Sequence, residues 1–281
     1  MSIEIYYFSG TGNSLFVAKD IAEKTGASLI PIASIIDRKN IKTDADVIGI
    51  VFPNHYGEPP MIVEQFARKL EGISDKYIFA VCTYGGAADA SLRMLKRMIH
   101  SSGGALSAAY GVHMPQNSFL KPNEDHQKLY MEWKRKLELI VKNMNIKAKG
   151  MFYSNVWLEL ILIPIHAIFI RPICKKHFKK ISNLPSDFTY EEHKHAMDKN
   201  FNTNKSCNGC GICSKVCPVG NIVINDNKPV WLNHCEHCLA CYNWCPNKAI
   251  QGGITPKDYY YRHPEIKISE IIKQKVNEGL Y

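Results

Sequence analysis

The sequence predicts an open, doubly wound parallel α/β sheet in its first half and a second, smaller α+β unit organised by cysteine near its end. Three observations predict this. Strand-like apolar runs alternate with helical spacing over residues 1–150. A Gly-rich turn, Ser9-Gly10-Thr11-Gly12-Asn13-Ser14, joins the first run to the first helix. Eight of the ten cysteines fall into two copies of one spacing. Strands interleaved with helices make parallel βαβ units.

Taken in order, residues 3–9 (IEIYYFS) form a buried strand. Residues 12–26 then place Leu15, Phe16, Ala18, Ile21 and Ala22 at helical spacing and stop at Gly26. Strand runs recur at 28–32, 46–52, 77–83 and 105–113, and helical stretches fill 60–71, 87–102 and about 123–147. Cys82 lies in an apolar run and belongs to the core. Sheets of this kind bind ligands beyond the carboxyl ends of their strands.

The first such end is the Ser9–Ser14 turn. Its small residues and the following helix N-terminus suit a phosphate held by backbone N–H groups and the helix dipole. A Walker A loop would need Gly-Lys-Ser/Thr, and no lysine is here; a dinucleotide fingerprint would need a third glycine where Leu15 stands.

Residues 156–170 (VWLELILIPIHAIFI) are almost wholly apolar, but a spanning helix wants about 20 such residues. The run is shorter and holds Glu159, Pro164 and His166. Arg171, Lys175, Lys176, His177, Lys179 and Lys180 follow. Within a 151–200 linker segment, the run is expected as a helix buried between domains or in a homodimer interface. Peripheral membrane contact and a substrate-pocket wall are the alternatives. Glu159 and His166 share a helical face if Pro164 leaves the helix intact, as a satisfied polar pair or a proton relay. In the polar stretch 182–206, Thr189 and Glu192 fit a capping box, and His193 and His195 are expected at the surface. Cys174 has no assigned role.

The cysteine unit occupies 201–281. Cys207, Cys210, Cys213 and Cys217-Pro218 repeat 28 residues later as Cys235, Cys238, Cys241 and Cys245-Pro246. This spacing binds two 4Fe–4S clusters, the fourth cysteine of each run serving the other cluster. Cys207, Cys210, Cys213 and Cys245 are therefore assigned to cluster 1, and Cys235, Cys238, Cys241 and Cys217 to cluster 2. Zinc would explain four ligands, not a third cysteine and a Cys-Pro ending, twice. Ile222 and Ile250 match between the copies as packing residues, and Ile212, Val216 and Leu239 would exclude water with them.

At 281 residues and 46 % hydrophobic, the chain allows about two domains with sizeable cores. Its net charge of +9 would fall to about +3 if two oxidised clusters contributed about −4 and a phosphate on the Ser9–Ser14 turn about −2. Nucleic-acid binding therefore gains no support. Thiolate ligands and leftover thiols suit a reducing cytoplasm, and the N-terminus lacks the basic region and cleavage site of a signal peptide.

The Ser9–Ser14 turn resembles the phosphate loop of flavodoxins. The resemblance covers 1–150 and implies a five-stranded sheet in the order 2-1-3-4-5, with FMN held by Ser9, Thr11, Gly12, Asn13 and Ser14 around the phosphate. It also implies that Pro53, Asn54, His55, Tyr56 and Gly57, with Thr83, Tyr84, Gly85 and Gly86, surround the isoalloxazine, His55, Tyr56 and Tyr84 being the candidates to stack on it. The whole chain resembles the EFR1-type ferredoxins, flavodoxin–ferredoxin fusions of anaerobes. The segments that carry this are FSGTGNS, MPQN at 114–117, CNGCGICSKVCPVGNI, CEHCLACYNWCPNKAIQ and YRHPEI. That resemblance implies Met114, Gln116 and Asn117 near the flavin; an ordinary strand exit is the other reading.

Three functions fit. One is an electron-transfer protein that passes single electrons between two 4Fe–4S clusters and FMN, with a redox partner protein as donor or acceptor. Another is an oxidoreductase that reduces a small organic substrate at FMN, with His55 and His113 as titratable neighbours. The third is a redox sensor that binds a partner according to cluster state. No catalytic dyad is visible.

Overall fold

The computed structural model describes residues 1–86, 88–118, 122–152, 164–185 and 187–275. Strands β1 (Ile3–Tyr7), β2 (Ser28–Pro31), β3 (Val47–Pro53), β4 (Tyr77–Tyr84), β5 (Leu106–His113) and β6 (Gly150–Met151) form one sheet in the order β2-β1-β3-β4-β5-β6. Every pairing is parallel. The strand order reverses at β1 and β3, the topological switch point of a flavodoxin-like sheet. All five expected strands are present; β6 is an addition to them. Its two residues carry no readable periodicity, and it is held by the Phe152 N–H donating to Ala109 O at 2.7 Å and the Phe152 ring stacking on Tyr110.

Helices α1 (Asn13–Thr25) and α4 (His126–Asn145) cover one face, and α2 (Met61–Lys69) and α3 (Asp89–Ser101) the other. Covered twice, β3 and β4 are buried almost end to end, and Cys82 is fully buried in β4. Gly26 ends α1 in the left-handed conformation. The fourth helix starts later than the apolar pattern suggests, because the Asp125 carboxylate accepts from the N–H groups of Gln127 and Lys128 and fixes the N-cap there.

A π-helical turn (His166–Ile170) leads into α5 (Arg171–Ser182), then α6 (Tyr190–His195). The Thr189–Glu192 capping box is present. Two expectations are corrected here. His193 is fully buried, its Nδ1 at 2.7 Å from Ser182 Oγ, and His195 is half-buried; α6 is too short to show its inward face in sequence and packs on α5. Second, the described end of the apolar run is exposed rather than buried. Only one stripe of α5, Cys174, Phe178 and Ile181, turns inward. Residues 156–163, Glu159 among them, and the His166 side chain lie outside the described residues.

The cysteine unit pairs β7 (Asn202–Thr203) with β10 (Ile250–Gln251) and forms a hairpin from β8 (Ile222–Asn225) and β9 (Lys228–Trp231). Short helices α7 (Ile212–Lys215) and α8 (Ala240–Asn243) start at equivalent places in the two cysteine copies. A closing strap carries α9 (Ile268–Ile272) back over the sheet domain. The two units share a core: Val216, Ala240, Trp244, Ile266 and Ile271 pack into the cluster built by α1 and α4.

Candidate functional site

The loops after β1, β3, β4 and β5 enclose a cleft of about 270 Å³. Each loop is fixed by the others. Ser9 Oγ accepts the Gly12 N–H at 3.2 Å, and Gly12 at φ 106° turns the chain into α1. Ser14 Oγ lies 2.8 Å from Thr83 Oγ1, and Asn117 Nδ2 donates to Thr11 Oγ1 at 2.7 Å. Asn13 Nδ2 donates to Pro115 O at 2.9 Å. Among the described residues no lysine or arginine lines the cleft, so an anion there would rest on the α1 N-terminus and loop N–H groups.

The structure brings sixteen of the expected cofactor residues to this one cleft: Ser9, Thr11, Asn13, Ser14, Pro53, Asn54, His55, Tyr56, Gly57, Thr83, Tyr84, Gly85, Gly86, Met114, Gln116 and Asn117. Gly12 faces away; a Cβ there would meet His263 Cβ at 2.9 Å. In the second loop, His55 and Glu58 exchange backbone hydrogen bonds at 2.9 Å around Tyr56 and Gly57, both at positive φ. Tyr56 is drawn towards the cysteine unit, its hydroxyl 3.1 Å from His237 Nδ1 and its ring edge-on to Phe178. Tyr84 stacks on His113, the planes 4° apart. Burial pushes the His55 imidazole down to about 3, so it is neutral, and its buried Nδ1 has no hydrogen-bond partner in the protein. A partnerless ring nitrogen in a polar cleft fits a site completed by a ligand that hydrogen-bonds to it.

The four cysteines assigned to cluster 1, Cys207, Cys210, Cys213 and Cys245, lie around one small cavity with Ile212, Ile224 and Ile250. Cys217, Cys238 and Cys241 lie close enough together to interact electrostatically, and Cys213 is near Cys241 as well. Backbone N–H groups point at sulfur in both copies of the motif: Asn221 to Cys217, Ala249 to Cys245 and His237 to Cys235, each at 3.3 Å. Such bonds tune iron–sulfur potentials. Burial pushes the Cys213 thiol up to about 11 and the Cys238 thiol up to about 12; a bound metal reverses this and deprotonates a coordinating thiol. Among the described residues no three His, Cys, Asp or Glu side chains close on a single ion. A cubane needs wider spacing, because each sulfur binds its own iron.

The two sites meet. Cys238 itself lines the cleft. A Cβ on Gly10 would lie 2.2 Å from Cys238 O, so only glycine lets the loops touch. Trp244 Nε1 donates to Gly10 O at 3.0 Å. The Gln274 side chain bonds both the N–H and the C=O of Ser9, at 3.1 and 2.8 Å, and Tyr261 donates to Asn13 Oδ1 at 2.6 Å. Glu58, buried beside the cleft, is held by Lys194 at 3.2 Å, Arg171 at 3.3 Å and Tyr190 at 3.3 Å. Sequence reasoning missed these supports. YRHPEI carried a signal for Tyr261 and His263 only as part of a resemblance, and nothing local marks Gln274, 265 residues from its partner.

Residues 206–250 match the family described as a 4Fe-4S dicluster domain. A comparison with curated proteins gave no match. Solved structures similar to the first half include a putative flavoprotein from Bacteroides eggerthii, at 19 % identity over 48 % of this chain and 96 % of that one, TM-score 0.32. A flavodoxin from the domain Archaea is 18 % identical over 52 % and 99 % of the two chains, TM-score 0.35. Rubredoxin oxygen:oxidoreductase from Desulfovibrio gigas is 16 % identical over 52 % of this chain and 36 % of that one, TM-score 0.34. The chain joins a parallel sheet whose strand order reverses at β1 and β3 to the unit that matches the 4Fe-4S dicluster model, and the two touch at the carboxyl ends of the strands.

Proposed function

We propose that this protein is an electron-transfer protein passing single electrons between two 4Fe–4S clusters and FMN, in the reducing cytoplasm that such clusters suit. The observation that carries the reading is that Cys238, assigned to cluster 2, lines the cleft formed by the flavin-type loops. FMN would supply exchange between paired and single electrons, and the clusters single-electron steps. Ser9, Thr11, Asn13 and Ser14 would hold the phosphate. His55, Tyr56, Tyr84, Met114, Gln116 and Asn117 would orient the ring. Cys207, Cys210, Cys213 and Cys245 would hold cluster 1, and Cys235, Cys238, Cys241 and Cys217 cluster 2. Cys210 is exposed, so cluster 1 is the side at which a soluble redox partner would exchange electrons. Anaerobic reconstitution tests the reading. It expects about eight irons and one FMN per chain, with every chromophore reducible by a low-potential protein donor. Zinc in place of iron, or no uptake of flavin, would contradict it. Steady oxidation by a small organic compound would select the reductase instead.

A further inference from the structure

Outside the cleft and the cysteine unit, the most unusual surface is the start of α5. Ile165, Ile168, Phe169, Ile170 and Ile173 are 39, 62, 60, 42 and 67 % exposed. Single exposed apolar residues are ordinary, but five within nine positions make a patch that asks for a partner. They cannot all turn inward, because Phe178 already anchors the helix, fully buried against Tyr56, Tyr190 and His237. Ile173, Lys176 and Lys180, spaced i, i+3 and i+7, are exposed on the side away from Phe178. The flanking charge has one sign: Lys175, Lys176 and Lys180 are exposed, and no Asp or Glu occurs from 160 to 186. Arg171 is already committed to Glu58.

We propose that this element docks the protein on an anionic lipid surface. Ile168, Phe169 and Ile173 enter the boundary between headgroups and acyl chains, and Lys175, Lys176 and Lys180 face the lipid phosphates. Among the described residues no helix is long and apolar enough to cross a membrane, so the contact is peripheral. A second copy of the chain fits less well, since a two-fold interface would bring together two copies of the same lysine-bearing face, and no Asp or Glu from 160 to 186 could pair with them. Docking would bring the electron-transfer site close to the bilayer, because Phe178 on the same helix touches the Tyr56 ring at 5.0 Å.

Co-sedimentation of the reconstituted holo-protein with extruded vesicles tests this, using phosphatidylcholine alone and phosphatidylcholine with about a quarter phosphatidylglycerol. Binding to the anionic vesicles is expected to exceed binding to the neutral ones at least about tenfold and to fall with added salt. K176Q/K180Q should weaken it about 30-fold, and F169S/I173S at least about tenfold, with the flavin and cluster spectra unchanged. Protein that stays in the supernatant with both vesicles, or binds both equally, overturns the proposal. So does a dimer in sedimentation velocity that I173S dissolves while vesicle binding is absent.

Discussion

The two cysteine copies have the same spacing and the same backbone path but different ways of holding it. Gly209, Gly211 and Gly220 sit at φ 72, 75 and 69° in the first copy; 28 residues on, His237, Leu239 and Lys248 sit at 55, 54 and 49°. A left-handed residue with a Cβ costs roughly 1–2 kcal/mol, so the second copy must recover that elsewhere. It does so by contact. His237 Nε2 lies 2.6 Å from Lys194 O, Leu239 is buried, and Lys248 lies over the Tyr260 ring at 4.9 Å. Around Cys210 the first copy opens to water, and at Gly209, Gly211 and Gly220 it takes its conformation from glycine. The second faces the cleft and takes it from the rest of the molecule. One sequence motif has an outward-facing copy and an inward-facing one.

The sharpest way to break this comparison is to remove one cysteine from each side. Cys238→Ala is expected to lose cluster 2, leaving about four irons, and to slow flavin–cluster exchange by at least about 1000-fold. Cys210→Ala should lose cluster 1 yet keep exchange between flavin and cluster 2. Iron analysis and rapid-mixing absorbance read both, and equal rates in the two variants would remove the distinction between the outward-facing and inward-facing copies.

Next in size is the contact itself. Gly10→Ala places a methyl 2.2 Å from Cys238 O and should cost about 1–3 kcal/mol in urea unfolding by overpacking, with slower flavin–cluster exchange. Wild-type stability and exchange in this variant would show that the loops do not need to touch.

The strap over the inward side adds a pH dependence. Burial pushes His263 down to about 4, so it is neutral when folded, whereas the unfolded chain titrates near 6.5. As pH falls below about 6.5 the unfolded state takes up a proton that the folded state refuses, and stability declines until about pH 4. The slope contributed is at most about 1.4 kcal/mol per pH unit. His263→Asn should make the slope of urea midpoints between those limits shallower, His55 supplying part of what remains; an unchanged slope would mean that His263 does not contribute.

The smallest effect sharpens the outward side. Gly211 has open space around a new Cβ, the nearest atom being Ile224 Cγ1 at 3.9 Å. Gly211→Ala should therefore cost only the left-handed backbone term, about 1–2 kcal/mol. Gly209→Ala should cost more, because its Cβ would meet Asn227 O at 2.8 Å. Equal losses would show that the first copy is shaped by something other than local glycine conformation.

Much of this was legible in the sequence where the determinants are local. Apolar runs placed the five main strands, the Ser9–Ser14 turn placed the cleft, and the cysteine spacing marked the unit that matches a 4Fe-4S dicluster domain. What stayed hidden depends on partners far along the chain. His193 and His195 looked like surface residues because what covers them is distant in sequence: Ser182 of α5 for His193, and the His234–Cys235 stretch for His195. The ion pairs of Glu58 with Lys194 and Arg171 join residues more than 100 positions apart and left no local mark. The run ending at Ile170 looked like core because hydropathy registers composition, not whether neighbouring elements leave room to bury it. The touch between Gly10 and Cys238 had no local signal at all.

The central claim is tested most directly by anaerobic stopped-flow reduction of the fully reconstituted protein, following flavin and cluster absorbance separately at several protein concentrations. If Cys238 joins the two sites, the flavin and the clusters reach redox equilibrium in a first-order phase whose rate does not change on dilution. Reduction of each chromophore on its own, at rates set only by the donor concentration, would contradict the account.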